Sequence, residues 1–221
     1  MGSSFYSTII QLPQRLQHVN AKSPTAAGIL LLPVLLPSAG FSALSGAMYR
    51  KYPAATPSLL FCGSVLQVIG VGLLSTLPTG EAVSNSQYGF EVMTGIGFGL
   101  MLPSFMILAR DWVTEQQYGD YILFPFVFNT NVSSIATAMG LVNTFRTLGG
   151  CVSIAVCGAI LNQELDKGSI IENTQSSYSN IHNKQFFVMV ILSIPSALAA
   201  SIILLRQYWR KGVFSADSVG S

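Results

Sequence analysis

"MGLVNTFRTLGGCVSIAVCGAILN", residues 139–162, holds one charge, Arg146, in 24 positions. A helix needs about 20 predominantly apolar residues to cross the hydrocarbon core of a bilayer. The stretch is long enough to do so, and its reading decides between a membrane fold and a soluble one. The rest of the chain agrees with the membrane reading. Of its 221 residues 50% are hydrophobic and only 9% are charged, against about 25% charged in soluble domains. Mean hydropathy is +0.53. The net charge of +2 is small and scattered, and no basic cluster with interleaved aromatics marks a nucleic-acid surface. No nucleic-acid partner is expected.

Four further stretches have the same character: 26–48, 58–77, 88–109 and 186–205, with the opening one spanning about 135–161. Each is apolar on all sides, which suits lipid or a helix bundle better than a water-facing surface. The expected fold is all-α, a polytopic bundle of about five transmembrane helices plus a partial N-terminal one. Residues 3–19, "SSFYSTIIQLPQRLQHV", are only half apolar and are interrupted by Pro13 and Arg15. They read equally well as the outer end of a span or as an interfacial piece. The organisation expected is a partial helix and outer loop over 1–25, the bundle over 26–206 and a cytoplasmic tail over 207–221.

Lys and Arg in short loops set orientation. Arg50 and Lys51, Arg110, and Arg206, Arg210 and Lys211 place 49–57, 110–134 and the C-terminus in the cytoplasm. Arg15 and Lys22 fall on the opposite side of this count. The segment 110–134 mixes charges with the cluster "YILFPFVF" (121–128), too short to span and suited to lying at the interface, where aromatic rings are favoured. The one sequon, Asn131-Val132-Ser133, would face the cytoplasm unused.

"GIGFG" (95–99) lacks a third glycine at nucleotide-loop spacing and a preceding strand. Gly95, Gly97 and Gly99, with Gly149 and Gly150, are read as close-packing positions between helices. The three cysteines, Cys62, Cys151 and Cys157, match no zinc spacing and no disulfide framework. His18 and His182 stand apart from any nucleophile or acid, so neither an enzyme, a metal site nor a cofactor is expected.

The order of segments resembles major facilitator transporters. "LPQRLQHVNAKSPTAAGILLLPVL" is similar to the link between the seventh and eighth core helices, and "LSGAMYRKYPAATP" to the short basic turn that follows. "GSVLQVIGVGLLSTL" and "GFEVMTGIGFGLMLP" match the next two helices, and "IATAMGLVNTFRTLGGCVSIAVCGAILNQEL" the one after. The nearest likeness is to fungal drug–proton antiporters with fourteen spans, and it covers most of residues 9–205. The resemblance implies proton-coupled efflux of small amphiphilic compounds by a plasma-membrane or vacuolar protein, with rocking bundles around a midplane site. It also implies that the chain matches only a C-terminal half, beginning inside a helix, and that its loop before Ile135 exceeds the family pattern. A truncated product or a shortened gene prediction accounts for both. Alone, one half cannot enclose a site, so transport would need a complementary half or a homodimer. The competing reading is a truncated, non-transporting membrane protein acting as an interaction partner.

Candidate functional residues follow from the cost of polarity in lipid. An arginine at a helix centre costs about 2.5–3.5 kcal/mol on insertion scales. Asn143, Arg146, Thr147 and Gly150 share a helical face by spacing. That stripe is expected to line the cavity between halves, although Arg146 could instead snorkel to headgroups. A depth of about 18 Å from a start near Ser134 favours the cavity. Glu91 is the one acid within a predicted span, either a proton-coupling carboxyl or, as its place one turn from the helix end favours, a solvated end charge. Gln67 is either a cavity hydrogen-bonder or glue between helices. Arg50 and Lys51 are expected to anchor the cytoplasmic turn.

Overall fold

The computed structural model describes residues 2–78, 83–115, 135–166 and 174–217. The described residues form seven α-helices and one 3-10 turn: α1 Gly2–His18, α2 Pro24–Ile29, α3 Leu32–Lys51, the turn Pro53–Ala55, α4 Thr56–Leu74, α5 Asn85–Glu115, α6 Ile135–Asp166 and α7 Thr174–Asp217. Among the described residues, five segments are long and apolar enough to cross a membrane: Pro24–Lys51, Pro53–Leu74, Asn85–Asp111, Met139–Glu164 and Ser176–Trp209. The fold is an all-α polytopic bundle.

Local signals set the helix starts. The Ser23 hydroxyl accepts from the Ala26 backbone N–H at 3.3 Å, and Pro24 takes the first helical position of α2, where a missing N–H costs nothing. Pro33 and Pro57 do the same near the starts of α3 and α4. Several span hydroxyls bond carbonyls of their own helix, among them Ser64 to Leu60 and Ser201 to Ala197, both at 2.8 Å. This hides polar groups that lipid would penalise.

α4 and α5 form the buried centre, running antiparallel, with α3 beside α5 and α7 beside α4. Glycine makes the approach close. A Cβ on Gly63 would lie 2.8 Å from the Met101 backbone N, on Gly70 2.9 Å from the Thr94 backbone N, and on Gly97 2.6 Å from the Gln67 backbone N. Gly95 and Gly99, one turn apart, meet the backbone of α3 at Val34 and Ser38. The "GIGFG" run thus presents glycine to two neighbours at once. Small residues allow this backbone approach, and dispersion rewards it.

α1 lies against α6 and α7 as a 17-residue helix, about 25 Å long at 1.5 Å per residue. Its polar side faces inward. Ser4, Ser7, Thr8, Gln11 and Arg15 are all buried, in company with Leu12 and Leu16. Arg15 NH2 donates to the carbonyls of Leu77 at 3.1 Å and Pro78 at 3.2 Å. This arginine therefore closes the C-terminal end of α4 from within the bundle.

α6 runs on to Asp166 and α7 begins at Thr174. The tail is helical to Asp217, so α7 is 44 residues long, about 66 Å against a hydrocarbon core of about 30 Å. The "YILFPFVF" cluster and the sequon at Asn131 lie outside the described residues.

Candidate functional site

α6 has little cover from its neighbours and shows two exposed stripes. Phe145, Leu148 and Val152 form an apolar one. Asn143, Thr144, Thr147 and Cys151 form a small, polar one a third of a turn away. The threonines bond inward, Thr144 to the Gly140 carbonyl at 2.9 Å and Thr147 to that of Asn143, so the polar stripe presents small surfaces with satisfied hydroxyls. An exposed helix with one greasy and one polar stripe suits a helix that meets lipid on one side and protein or water on the other.

The face expected to hold Asn143, Arg146, Thr147 and Gly150 divides in two. Asn143 and Thr147 are exposed. Gly150 is buried under Tyr6 of α1, whose ring a Cβ would meet at 2.5 Å; Gly149 beside it is half-buried. Arg146 turns toward α1 as well. Its NH2 donates to the Tyr6 hydroxyl at 3.4 Å, and the guanidinium lies 5.8 Å from the Tyr6 ring centroid. Its Nε is buried without a hydrogen-bond partner. The reason is helical geometry: a 100° step per residue sets positions 146 and 150 on the side of α6 that α1 covers, while 143 and 147 pass its edge. The arginine is thus half-buried at the rim between α1 and the open polar stripe.

Glu91 is not a solvated end charge. It is fully buried, with Oε1 accepting from Gln87 Nε2 at 2.7 Å and Oε2 without a hydrogen-bond partner. No cation pairs with it among the described residues. Gln67 is also fully buried, at the α4–α5 contact beside Gly97, and neither of its side-chain polar atoms has a hydrogen-bond partner. It therefore lies inside this bundle and away from the open stripe.

Arg50 and Lys51 are exposed at the C-terminal end of α3, with Lys51 Nζ 5.3 Å from the Tyr52 ring centroid. The closer polar network there involves other residues. Tyr49 hydrogen-bonds Asp111 at 3.2 Å, and Arg110 NH2 donates to the Tyr49 hydroxyl at 2.7 Å. This ties α3 to α5. Sequence spacing does not reveal it, because Tyr49 and Asp111 are 62 positions apart. The same holds for Tyr6 and Arg146, 140 apart, and for the 2.7 Å bond between the Ser7 and Ser153 hydroxyls, 146 apart. Among the described residues no group of three His, Cys, Asp or Glu side chains could hold a metal ion.

Comparison with known proteins assigns the bundle a family context. No protein-family model matches the chain, and no solved structure matches it significantly. An MFS-type transporter of Fusarium mangiferae is 31% identical over 231 aligned residues, covering 93% of this chain and 36% of the relative. A vacuolar basic amino acid transporter of Saccharomyces cerevisiae is 29% identical, over 76% of this chain and 34% of the relative. An efflux pump of Penicillium rubens is 28% identical, over 71% of this chain and 25% of the relative. The chain spans about a third of the length of the curated relatives it matches. Five membrane-length helices and these similarities together make it a multi-pass integral membrane protein, and a partial homologue of the fungal transporters of the major facilitator type.

Proposed function

We propose that this chain supplies one helix bundle of a major facilitator transporter, packed through the open stripe of α6 against a complementary bundle. The observation that carries the reading is the placement of Asn143, Thr144 and Thr147 on an uncovered face of a membrane-length helix, with Arg146 at its rim. Facing acyl chains, the Asn143 amide and the Arg146 guanidinium would be costly. Facing a second bundle, they would line a cavity that alternately opens to either side. The transported molecules would be small and amphiphilic, exported by exchange with protons across the plasma or vacuolar membrane. Glu91, buried without a cation, is the group in this half suited to carry a proton.

One bundle does not enclose a path, and the chain aligns to about a third of its relatives. Transport therefore requires a partner half or a second copy. The test reconstitutes the chain alone and with the remaining portion of a relative, and measures efflux of a fluorescent amphiphile driven by a pH gradient. Transport only by the combination, and its loss in an Arg146→Leu variant that still inserts, is the expected result. Normal transport by that variant would remove Arg146 from the mechanism. No transport in either preparation would favour a non-transporting membrane protein that acts through its contacts.

A further inference from the structure

The interior divides into two zones of opposite chemistry. Between α3, α4 and α5 the closest contacts are glycine against backbone, and the buried polar side chains are few, the Ser45–Ser104 hydroxyl pair at 3.1 Å and the Gln67 amide. Between α1, α6 and α7 they are polar side chains. α1 contributes Ser4, Ser7, Thr8, Gln11 and Arg15, α6 contributes Ser153, and α7 contributes Ser179, His182 and Gln185, every one at most 3% exposed. The Cys157 thiol lies among them, near Gln11 and Ser7.

Some of these groups pair directly. Ser7 bonds Ser153, Arg15 reaches Ser179 at 3.5 Å, and Gln185 Nε2 donates to the Cys157 carbonyl at 2.8 Å. Many atoms have no protein partner: the hydroxyls of Ser4 and Thr8, Oε1 of Gln11 and of Gln185, Nε of Arg15, and both ring nitrogens of His182. A buried polar atom without a partner costs about 1–3 kcal/mol, and native interiors answer such groups with ordered water. The set decides the ligand. Arg15 Nε is a donor only, and the two amide oxygens are acceptors only. A bare anion would leave the amide oxygens unanswered, and a bare cation would leave Arg15. Water both donates and accepts.

We propose that the seam between α1, α6 and α7 is a buried water-binding site, in which several ordered molecules bridge these three helices from Arg15 and His182 down to Ser4. The inward polar positions of α1 recur every three or four residues from Ser4 to Arg15, about 16 Å at 1.5 Å per residue, so the waters form a column. His18, stacked on Tyr178 at 5.1 Å and near His182 at 6.3 Å, stands at its outer mouth. The column leaves α1 held to the bundle by exchangeable bridges, whereas α3, α4 and α5 move as one tightly packed unit. This inference rests on packing alone and is independent of transport.

Hydroxyl-radical labelling of the full chain in detergent, with radicals generated from water by a synchrotron pulse and read by mass spectrometry, tests it. Cys157 and Met101 are both 0% exposed, and both carry reactive sulfur. Met101 lies at the close α4–α5 contact, where Gly63 packs against its backbone. After correction for intrinsic reactivity, Cys157 is expected to be modified at least tenfold faster than Met101. A Thr8→Val, Gln11→Leu variant should bring that ratio down at least threefold. Equal rates at the two sulfurs, fast or slow, or a ratio unmoved in the variant, would overturn the proposal.

Discussion

Replacing Gly97 with alanine tests whether backbone contact holds the centre of this bundle. The new Cβ would stand 2.6 Å from the backbone N of Gln67 and 2.9 Å from its Cα. Ordinary contact distance is about 3.5–4.0 Å, so α4 and α5 must separate by roughly 1 Å. Neither side can turn away, because the opposing atoms are main chain. A gap of that size forfeits a quarter to a half of the dispersion well along the contact, and overpacking of this kind costs about 1–3 kcal/mol. With two rigid backbones the upper end applies. Alanine recovers up to about 1 kcal/mol of helix propensity, leaving a net loss of about 2 kcal/mol. Gly40→Ala is the control, since nothing lies within 4 Å of its Cβ position; it should be neutral or stabilise by up to about 1 kcal/mol. Unfolding in mixed micelles with increasing dodecyl sulfate, followed by far-ultraviolet circular dichroism, compares the two. Equal stability of Gly97→Ala and Gly40→Ala would refute the close α4–α5 approach.

Further outcomes follow from other contacts. Ser7→Ala leaves the buried Ser153 hydroxyl without its partner and should cost about 1 kcal/mol, while adding Ser153→Ala should recover part of it; the same unfolding assay closes this cycle. A bulky, membrane-permeant maleimide should modify two thiols in the folded chain, Cys62 and Cys151, which are exposed, and reach buried Cys157 only after denaturation; intact-mass measurement counts the adducts. Tyr49→Phe removes the α3 hydroxyl that joins Arg110 and Asp111 of α5. Exposed polar contacts are worth about 0–1 kcal/mol, so stability should change by less than about 1 kcal/mol.

The membrane-length helices were legible in the sequence because lipid imposes one requirement on every spanning segment: a long run of apolar residues with its backbone satisfied internally. The "GIGFG" run was legible for a related reason, since glycine in a lipid-spanning helix has close packing as its main use. What the sequence hid was direction. Pro13 and Arg15 read as interruptions of an apolar run, yet the polar residues of α1 are its buried face. An inward polar face is the reverse of a water-soluble helix, and it depends on what α6 and α7 present opposite. Glu91 sits near a helix end in sequence, but α5 begins at Asn85 and turns the face that carries Gln87 and Glu91 inward, so nearness to the terminus did not mean solvent. The stripe around Arg146 failed as a unit for a similar reason. Spacing shows which residues share a side of a helix, but not where a neighbour's edge cuts across that side. Tyr6, the partner of Arg146, is 140 positions away, beyond the reach of any local pattern.

The central claim is that α6 turns its polar stripe toward a companion bundle and its apolar stripe toward lipid. Spin labels at Thr147→Cys and Leu148→Cys, placed one at a time in a variant without the native cysteines, measure this in bilayers beside the complementary half of a relative. Relaxation by oxygen reports contact with acyl chains, and relaxation by a water-soluble nickel complex reports water. Position 147 should respond to nickel and be sheltered from oxygen, and position 148 should do the reverse. Equal exposure of both positions to oxygen would contradict the account.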